Sequence, residues 1–222
     1  MRMFLICLIM VPFIFTACGG NSGTSANDNG GSNSGNGAEY DSAMNSVKDL
    51  RDGQTYKTVT IGKQVWMAEN LNYETANSVQ YPDYDGNPRE KYGRLYHWEE
   101  AMTVCPSSWR LPDESDWNAL LAFIGDSATA GTRLKAKRDW DKHKGDVVGT
   151  DDYGFAALPG GASHVNGNGV RSFSNNGAFF WSATESSSER AVLFVMHFEK
   201  EIVESSHFPK DTWLSIRCIK KD

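Results

Sequence analysis

Cys105 and Cys218, five scattered histidines and two acidic clusters are the residues of this chain whose types could do chemistry. The histidines form no pair at metal-ligand spacing. His97 falls in a predicted helix and His197 in a predicted strand, where packing or surface roles are the commoner reading. Asp83-Tyr84-Asp85-Gly86-Asn87 opens like a calcium loop, but the positions that need Gly and a bidentate Glu hold Pro88 and Arg94. A turn is the better reading. Asp146, Asp151 and Asp152 share a Gly-containing loop whose oxygens could hold Ca²⁺, against the commoner alternative of solvated carboxylates. Ser163 beside His164 would need a third, orienting group, and none is identifiable. The chain has no Gly-x-Ser-x-Gly elbow, no phosphate loop ending in Lys and no His-Glu-x-x-His. It therefore reads as non-catalytic, with no cofactor.

The aromatic residues suggest a different chemistry. Flat rings under the apolar faces of sugars, with amides and carboxylates for the hydroxyls, make carbohydrate sites. Trp98, Trp140, Trp181 and Trp213, with Asn166, Asn168, Asn175 and Asn176, could supply both. Trp117 lies on an apolar helical stripe and Trp66 in a strand, so most of the seven tryptophans belong to a core and one or two are expected at the surface. The candidate ligand-binding set is Trp98, Asp151, Asp152, His164, Asn166, Trp181 and Glu185, in the loops 146–153 and 164–176 and around them.

The elements that must position these residues are partly legible. Gln54 to Ile61 alternates and is rich in β-branched residues, Gly62-Lys63 turns, and Gln64 to Ala68 returns, which predicts a hairpin. Asn72 to Lys91 is polar and turn-rich. Tyr96 to Val104 predicts a short helix ending before Pro106. Asp113 suits a helix N-cap, Trp117, Leu120, Leu121 and Ile124 fall at i, i+3, i+4 and i+7, and Gly125 suits the stop. A weaker helix is expected over Ala128 to Lys137. Strands are expected over Tyr153–Leu158, Phe179–Ala183, Ala191–Phe198, Glu201–Glu204 and Thr212–Ile219. Helices early and strands late predict an α+β domain with a mainly antiparallel sheet.

Ahead of this body, Arg2 and the apolar run Phe4 to Phe15 have the order of a secretory signal and are too short for a permanent span. Phe15-Thr16-Ala17-Cys18 resembles the lipobox of bacterial lipoproteins, with Phe15 where Leu is usual. Residues 1–17 are then a removed leader, Cys18 the lipidated residue, and 18–46 a Gly/Ser/Asn-rich flexible tether to a domain over 52–221. An ordinary signal peptide with an incidental Cys18 is the alternative. The expected address is exported: an outer-membrane or cell-surface lipoprotein, held to the membrane by its lipid. In that setting Cys105 and Cys218 read as one disulfide, the alternative being two buried free thiols. The formal charge of −6 and the lack of a Lys/Arg stripe argue against nucleic acid as a partner.

Several phrases then occur in order: Asp52-Gly53-Gln54-Thr55-Tyr56, Val65-Trp66-Met67-Ala68-Glu69-Asn70-Leu71, Tyr92-Gly93-Arg94-Leu95-Tyr96-His97-Trp98, and Cys105-Pro106 with Trp109-Arg110-Leu111-Pro112. They continue with Gly154-Phe155-Ala156-Ala157-Leu158-Pro159-Gly160-Gly161, Phe180-Trp181-Ser182-Ala183-Thr184-Glu185 and Ile216-Arg217-Cys218. Together they resemble the Fibrobacter succinogenes major paralogous domain, a family of bacterial surface lipoprotein domains, from about Asp52 to Lys220. Arg110 to Trp117 is also similar to a stretch of the formylglycine-generating enzyme and C-type-lectin-like group. That likeness implies a C-type-lectin-like fold: two helices packed on an irregular, mainly antiparallel sheet with long loops. The enzyme's activity does not carry over, since it needs a closely placed cysteine pair. The Glu-Pro-Asn and Trp-Asn-Asp motifs of true C-type lectins are absent as well. The resemblance assigns no activity; the anchor, the tether, the aromatic and Asn-rich loops and the implied ligand-displaying fold lead to the expectation of a lipid-anchored binding module for polysaccharide or another cell-surface ligand, or alternatively a structural lipoprotein that meets an envelope protein.

Overall fold

A computed structural model describes residues 37–80, 89–140, 145–169, 171–174 and 176–222. The leader, Cys18, most of the tether, the Asp83–Asn87 segment and Asn175 lie outside the described residues.

The first hairpin forms as expected, with β3 (Thr55–Ile61) turning at Gly62 into β4 (Gln64–Met67). It does not open the domain. The strands β1 (Ala38–Asp41) and β2 (Ser46–Asp49) precede it, so the chain joins the sheet inside the stretch expected to be tether. The reason is local. Tyr40 meets Trp109 edge to face at 5.8 Å, and the Asp41 carboxylate accepts hydrogen bonds from the Ala43 and Met44 N–H groups to close the turn. With β13 (Ile219–Lys220) and β7 (Trp109–Arg110) they make one sheet, ordered β1-β2-β3-β4-β13-β7. A second sheet joins β10 (Gly177–Glu185), β11 (Arg190–His197) and β12 (Glu204–Pro209). Two small ribbons, β5 (Val79–Gln80) with β6 (Arg94–Leu95) and β8 (Ala162–Val165) with β9 (Arg171–Ser174), complete the strands. Every pairing between these strands is antiparallel.

Three helices accompany them: α1 (Trp98–Val104), α2 (Glu114–Ile124) and α3 (Ala130–Leu134). α2 has the expected ends. Asp113 and Asp116 form a capping box, each carboxylate accepting from the other's backbone N–H, and Gly125 takes φ 88° at the stop. The Ser115 hydroxyl, donating to Asp113, leads the groups that hold that carboxyl below its ordinary pKa.

β10 and β11 are the centre of the molecule. Their residues are buried on both faces, which is why Ala178 to Trp181 and Ala191 to Met196 read as unbroken apolar runs rather than alternations. Phe179, Trp181, Leu193 and Val195 face one core, with Trp98, Ala101 and Val104 of α1. Ala178, Phe180, Phe194 and Met196 face the other, with Trp117, Leu120 and Ile124 of α2. Trp117 stacks on Phe194 at 4.8 Å. The second core is closed by α3, whose Gly131 lies so close to the Glu201 and Ile202 carbonyls that an added Cβ would sit 2.4 Å from the Ile202 oxygen. Glu201 and Ile202 form a bend there, and the strand expected over Glu201–Glu204 begins only at Glu204.

Two other expected strands are irregular for one reason. Tyr153 to Leu158 bends through Asp151 and Ala156, both with positive φ, and turns its carbonyls toward Arg217. Arg217 is fully buried. Its guanidinium donates to the Asn70 side-chain oxygen at 2.7 Å and to the carbonyls of Met67, Phe155 and Ala156, and it lies over the Phe155 ring. Burial lowers its pKa to about 9. Asn70 in turn donates to the Tyr92 carbonyl at 2.8 Å. The segment 212–218 makes single bridges, from Trp213 to Ser163, Leu214 to Tyr96 and Ser215 to Phe180, before Ile219 enters β13, and its Cys218 closes a disulfide with Cys105. It laces the two sheets together.

Lys135 is the second buried cation. Its ammonium donates to the carbonyls of His197 at 2.7 Å and Lys200 at 2.8 Å, above the Trp140 ring. Burial lowers its pKa to about 8 from an ordinary 10.5, against an opposing pull from Glu199, Asp146 and Glu201. Between those values the unfolded chain binds more protons than the folded one, so this group makes stability rise with pH from about 8 toward 10.5. Above about pH 10, Tyr56 and Tyr96, held protonated by burial, reverse the trend. Urea unfolding between about pH 7.5 and 9 should show a rise of at most about 1.4 kcal/mol per pH unit, flattened in Lys135→Met. An equal slope in both proteins would refute the assignment.

Candidate functional site

A groove of about 870 Å³ lies between the β8–β9 ribbon and β12. Its floor is a margin of the first core, the buried Phe179 and Val195 with the half-buried Phe208, the Phe179 and Phe208 rings 6.1 Å apart. His164 and Ser174 stand on the ribbon wall. The His164 ring nitrogen Nε2 lies 3.0 Å from the Ser172 hydroxyl, its direct cross-strand partner. His197 lies at one end of the floor, edge-on to Phe179 at 5.7 Å and 3.8 Å from Glu204. Lys200 donates to both Glu204 oxygens, at 2.8 and 3.0 Å. At the other end Arg190 donates to the His207 carbonyl at 3.0 Å. Imidazole, hydroxyl and amide groups over an apolar floor can hold a polyhydroxylated ligand along the strands.

Of the sequence-derived set, His164 lines this groove and Asn166 lies in the turn of the same ribbon, its carboxamide oxygen accepting from the Asn168 N–H. The others lie elsewhere. Trp98 and Trp181 are core residues, 6% and 0% exposed, whose indole N–H groups donate to the Ser182 and Tyr96 carbonyls. All seven tryptophans are buried, so none offers the exposed platform expected of one or two. Trp213 comes nearest, with the Arg171 guanidinium laid over its ring at 3.9 Å. Glu185 ends β10 and pairs with Lys210, whose ammonium also sits over Trp98. Asp151 accepts from the Ala156 N–H at 2.8 Å and so shapes the loop around Arg217. Asp152 pairs with Arg133 at 3.0 Å; the Thr150 hydroxyl first, then Arg133, keep its pKa low. Among the described residues no three His, Cys, Asp or Glu side chains converge as metal ligands, and the calcium reading of the 146–152 loop gains no geometry.

The sequence analysis assigns no binding role to Phe208 or Glu204, and its expected strand reaches only Glu204, the first residue of β12. The local signal is weak: in Glu204-Ser205-Ser206-His207-Phe208-Pro209 only Phe208 is a large apolar residue, and the alternation appears in burial alone, although the closing Pro suits an edge strand. β12 is the terminal strand of its sheet.

The molecule is thus a mainly antiparallel α+β domain closed by one disulfide and carrying one large groove. It belongs to the Fibrobacter succinogenes major domain family, whose model matches residues 59–220. All the family phrases except Asp52–Tyr56 fall inside that match, and four of them meet at Arg217: Met67 and Asn70, Tyr92, Phe155 and Ala156, and Arg217 itself. None of the groove-lining residues belongs to a phrase. A search of curated proteins and of solved structures found no significant match.

Proposed function

We propose that this is a non-catalytic, lipid-anchored binding module of the bacterial envelope, of C-type-lectin-like fold, that holds a polysaccharide in the groove between the β8–β9 ribbon and β12. The observation that carries the reading is the groove itself: an apolar floor ending in Phe208, walled by serine, histidine and asparagine side chains. Sugars present that mixture of faces, and their ring C–H surfaces pack on aromatic rings. The anchor at Cys18 and the Gly/Ser/Asn-rich tether support an exported domain displayed away from a membrane. Glycan-array binding with the full chain in detergent tests it. Retention of polysaccharide is expected, weakened about tenfold by Phe208→Ala, a loss of about 1.4 kcal/mol. Absence of binding to any plant or bacterial glycan would remove the carbohydrate reading.

The second reading is a protein partner in the envelope. It is favoured by β12, a terminal strand that no other strand among the described residues covers and that could extend its sheet with a partner's strand. One envelope protein dominating proximity labelling, with glycan arrays blank, would select it.

A further inference from the structure

We propose that Asn166, at the tip of the β8–β9 ribbon, is a site of spontaneous covalent modification. Its carboxamide closes on the backbone nitrogen of Gly167 and reopens as aspartate or isoaspartate. The inference goes beyond the ligand and holds whether or not a glycan occupies the groove.

Ring closure needs an electrophilic side-chain carbonyl, a following backbone N–H free to attack it, and no Cβ on that following residue to obstruct the approach. Among the described residues Asn is followed by Gly at 166, 168 and 176. Local sequence makes these sites alike, and the fold separates them. Residues 166–169 are exposed, and the Gly169 N–H donates to the Asn166 backbone carbonyl at 2.9 Å, closing a β-turn with Asn166 at its first position. The Asn166 Oδ1 accepts from the Asn168 N–H at 3.0 Å. That bond polarises the side-chain carbonyl and steadies the negative charge its oxygen gains as nitrogen adds to Cγ. The attacking Gly167 N–H makes no hydrogen bond among the described residues. At Asn168 the attacking group is engaged, since the Gly169 N–H is the donor that closes the turn. At Asn176 the backbone is fixed. Gly177 is buried in β10 opposite His197, its carbonyl accepts from the Gly161 N–H at 3.0 Å, and the Asn176 carbonyl accepts from the Phe198 N–H at 3.4 Å. The Ser174 hydroxyl also holds the Asn176 Oδ1, at 2.7 Å.

In the step itself the Gly167 nitrogen loses its proton and bonds to Cγ, the Cγ–Nδ2 bond breaks, and the amide nitrogen leaves as ammonia with that proton. Water then opens the succinimide at either carbonyl, so water is the only co-reactant. Opening at the side-chain carbonyl gives aspartate. Opening at the backbone carbonyl gives isoaspartate, which routes the main chain through Cβ and lengthens the turn by a methylene. Either product places a new carboxylate beside Val165, which lines the groove. The isoaspartate form also loosens the turn that sets the ribbon's register, Val165 opposite Arg171.

Incubating the full chain in mildly alkaline buffer, with and without urea, and following each Asn by peptide mapping and fragmentation mass spectrometry tests this. In the folded protein Asn166 should convert about tenfold faster than Asn168 or Asn176, and in urea the rates should converge. An added Cβ at Gly167 meets nothing within 4 Å, so Gly167→Ala should keep the fold, checked by circular dichroism, and slow conversion at Asn166 about tenfold. Asn168 or Asn176 converting as fast as Asn166 in the folded protein overturns the inference. So does a folded Gly167→Ala that converts at the parent's rate. Rates that stay equally far apart in urea place the selectivity in local sequence rather than in the fold, and overturn it as well.

Discussion

Replacing Arg217 by Met should cost the domain about 3–5 kcal/mol, read as a lower urea midpoint with an unchanged slope. The guanidinium is fully buried and satisfies four acceptors: the Asn70 side-chain oxygen and the carbonyls of Met67, Phe155 and Ala156. Each acceptor orphaned in the interior costs about 1–3 kcal/mol. Two gains oppose this loss, since Met fills much of the volume and removes a charge that burial disfavours, as the lowered pKa of about 9 records. The acceptors win because three of them are backbone carbonyls, Met67 in β4 and Phe155 and Ala156 in the irregular 153–158 loop, which cannot turn to water without unfolding those segments. Lys should not rescue, because a single ammonium cannot span a fork aimed at three segments. An Arg217→Met protein as stable as the parent would instead place this site among buried charges that apolar residues replace freely.

Breaking the Cys105–Cys218 bridge is the second large effect. The cysteines are 113 residues apart, and closing so long a loop stabilises by about 5 kcal/mol in the chain-entropy model. Measured effects usually fall below that figure, so Cys105→Ala with Cys218→Ala should lose about 3–5 kcal/mol. Total stabilities of about 5–15 kcal/mol make that a large share. Both cysteines are buried, at 7% and 0% exposure, so reductant should act slowly on the folded protein and quickly once urea opens it. Peptide mapping without reductant should recover the two cysteine peptides joined. A midpoint indifferent to reductant and to the double substitution would show that the 212–219 segment is held by its bridges to Tyr96, Ser163 and Phe180 and by the pairing of Ile219, without the disulfide.

The different fates of the expected elements have physical causes. α2 was legible because its cap, apolar stripe and stop are all local: Asp113, Trp117 to Ile124, and Gly125. The β3–β4 hairpin was legible for the same reason, with alternation and turn within a dozen residues. Thr212–Ile219 has strand-like residues, but its partners are the distant Tyr96, Phe180 and Trp66, and it bridges them singly. Nothing within the segment encodes that. Ala38–Asp41 was read as tether because its anchor, Trp109, lies about seventy residues away in the chain. The tryptophans show the same limit. Residue type gave each of them aromatic area, and only tertiary packing decided that all of it is used inside.

By itself, then, the sequence determined the α+β class, the central helix and hairpin and the family, because each rests on local pattern or on phrases read in order; it left the two body cysteines open between a disulfide and free thiols, and the structure pairs them. The tertiary structure alone decided that those phrases converge on a buried guanidinium rather than a ligand site, and that the groove is built between them. The reason is that a groove is a relation between surfaces. His164, Arg190, His197 and Phe208 carry no shared spacing, and they line one concavity only because β8–β9 and β12 stand on opposite margins of the same apolar floor.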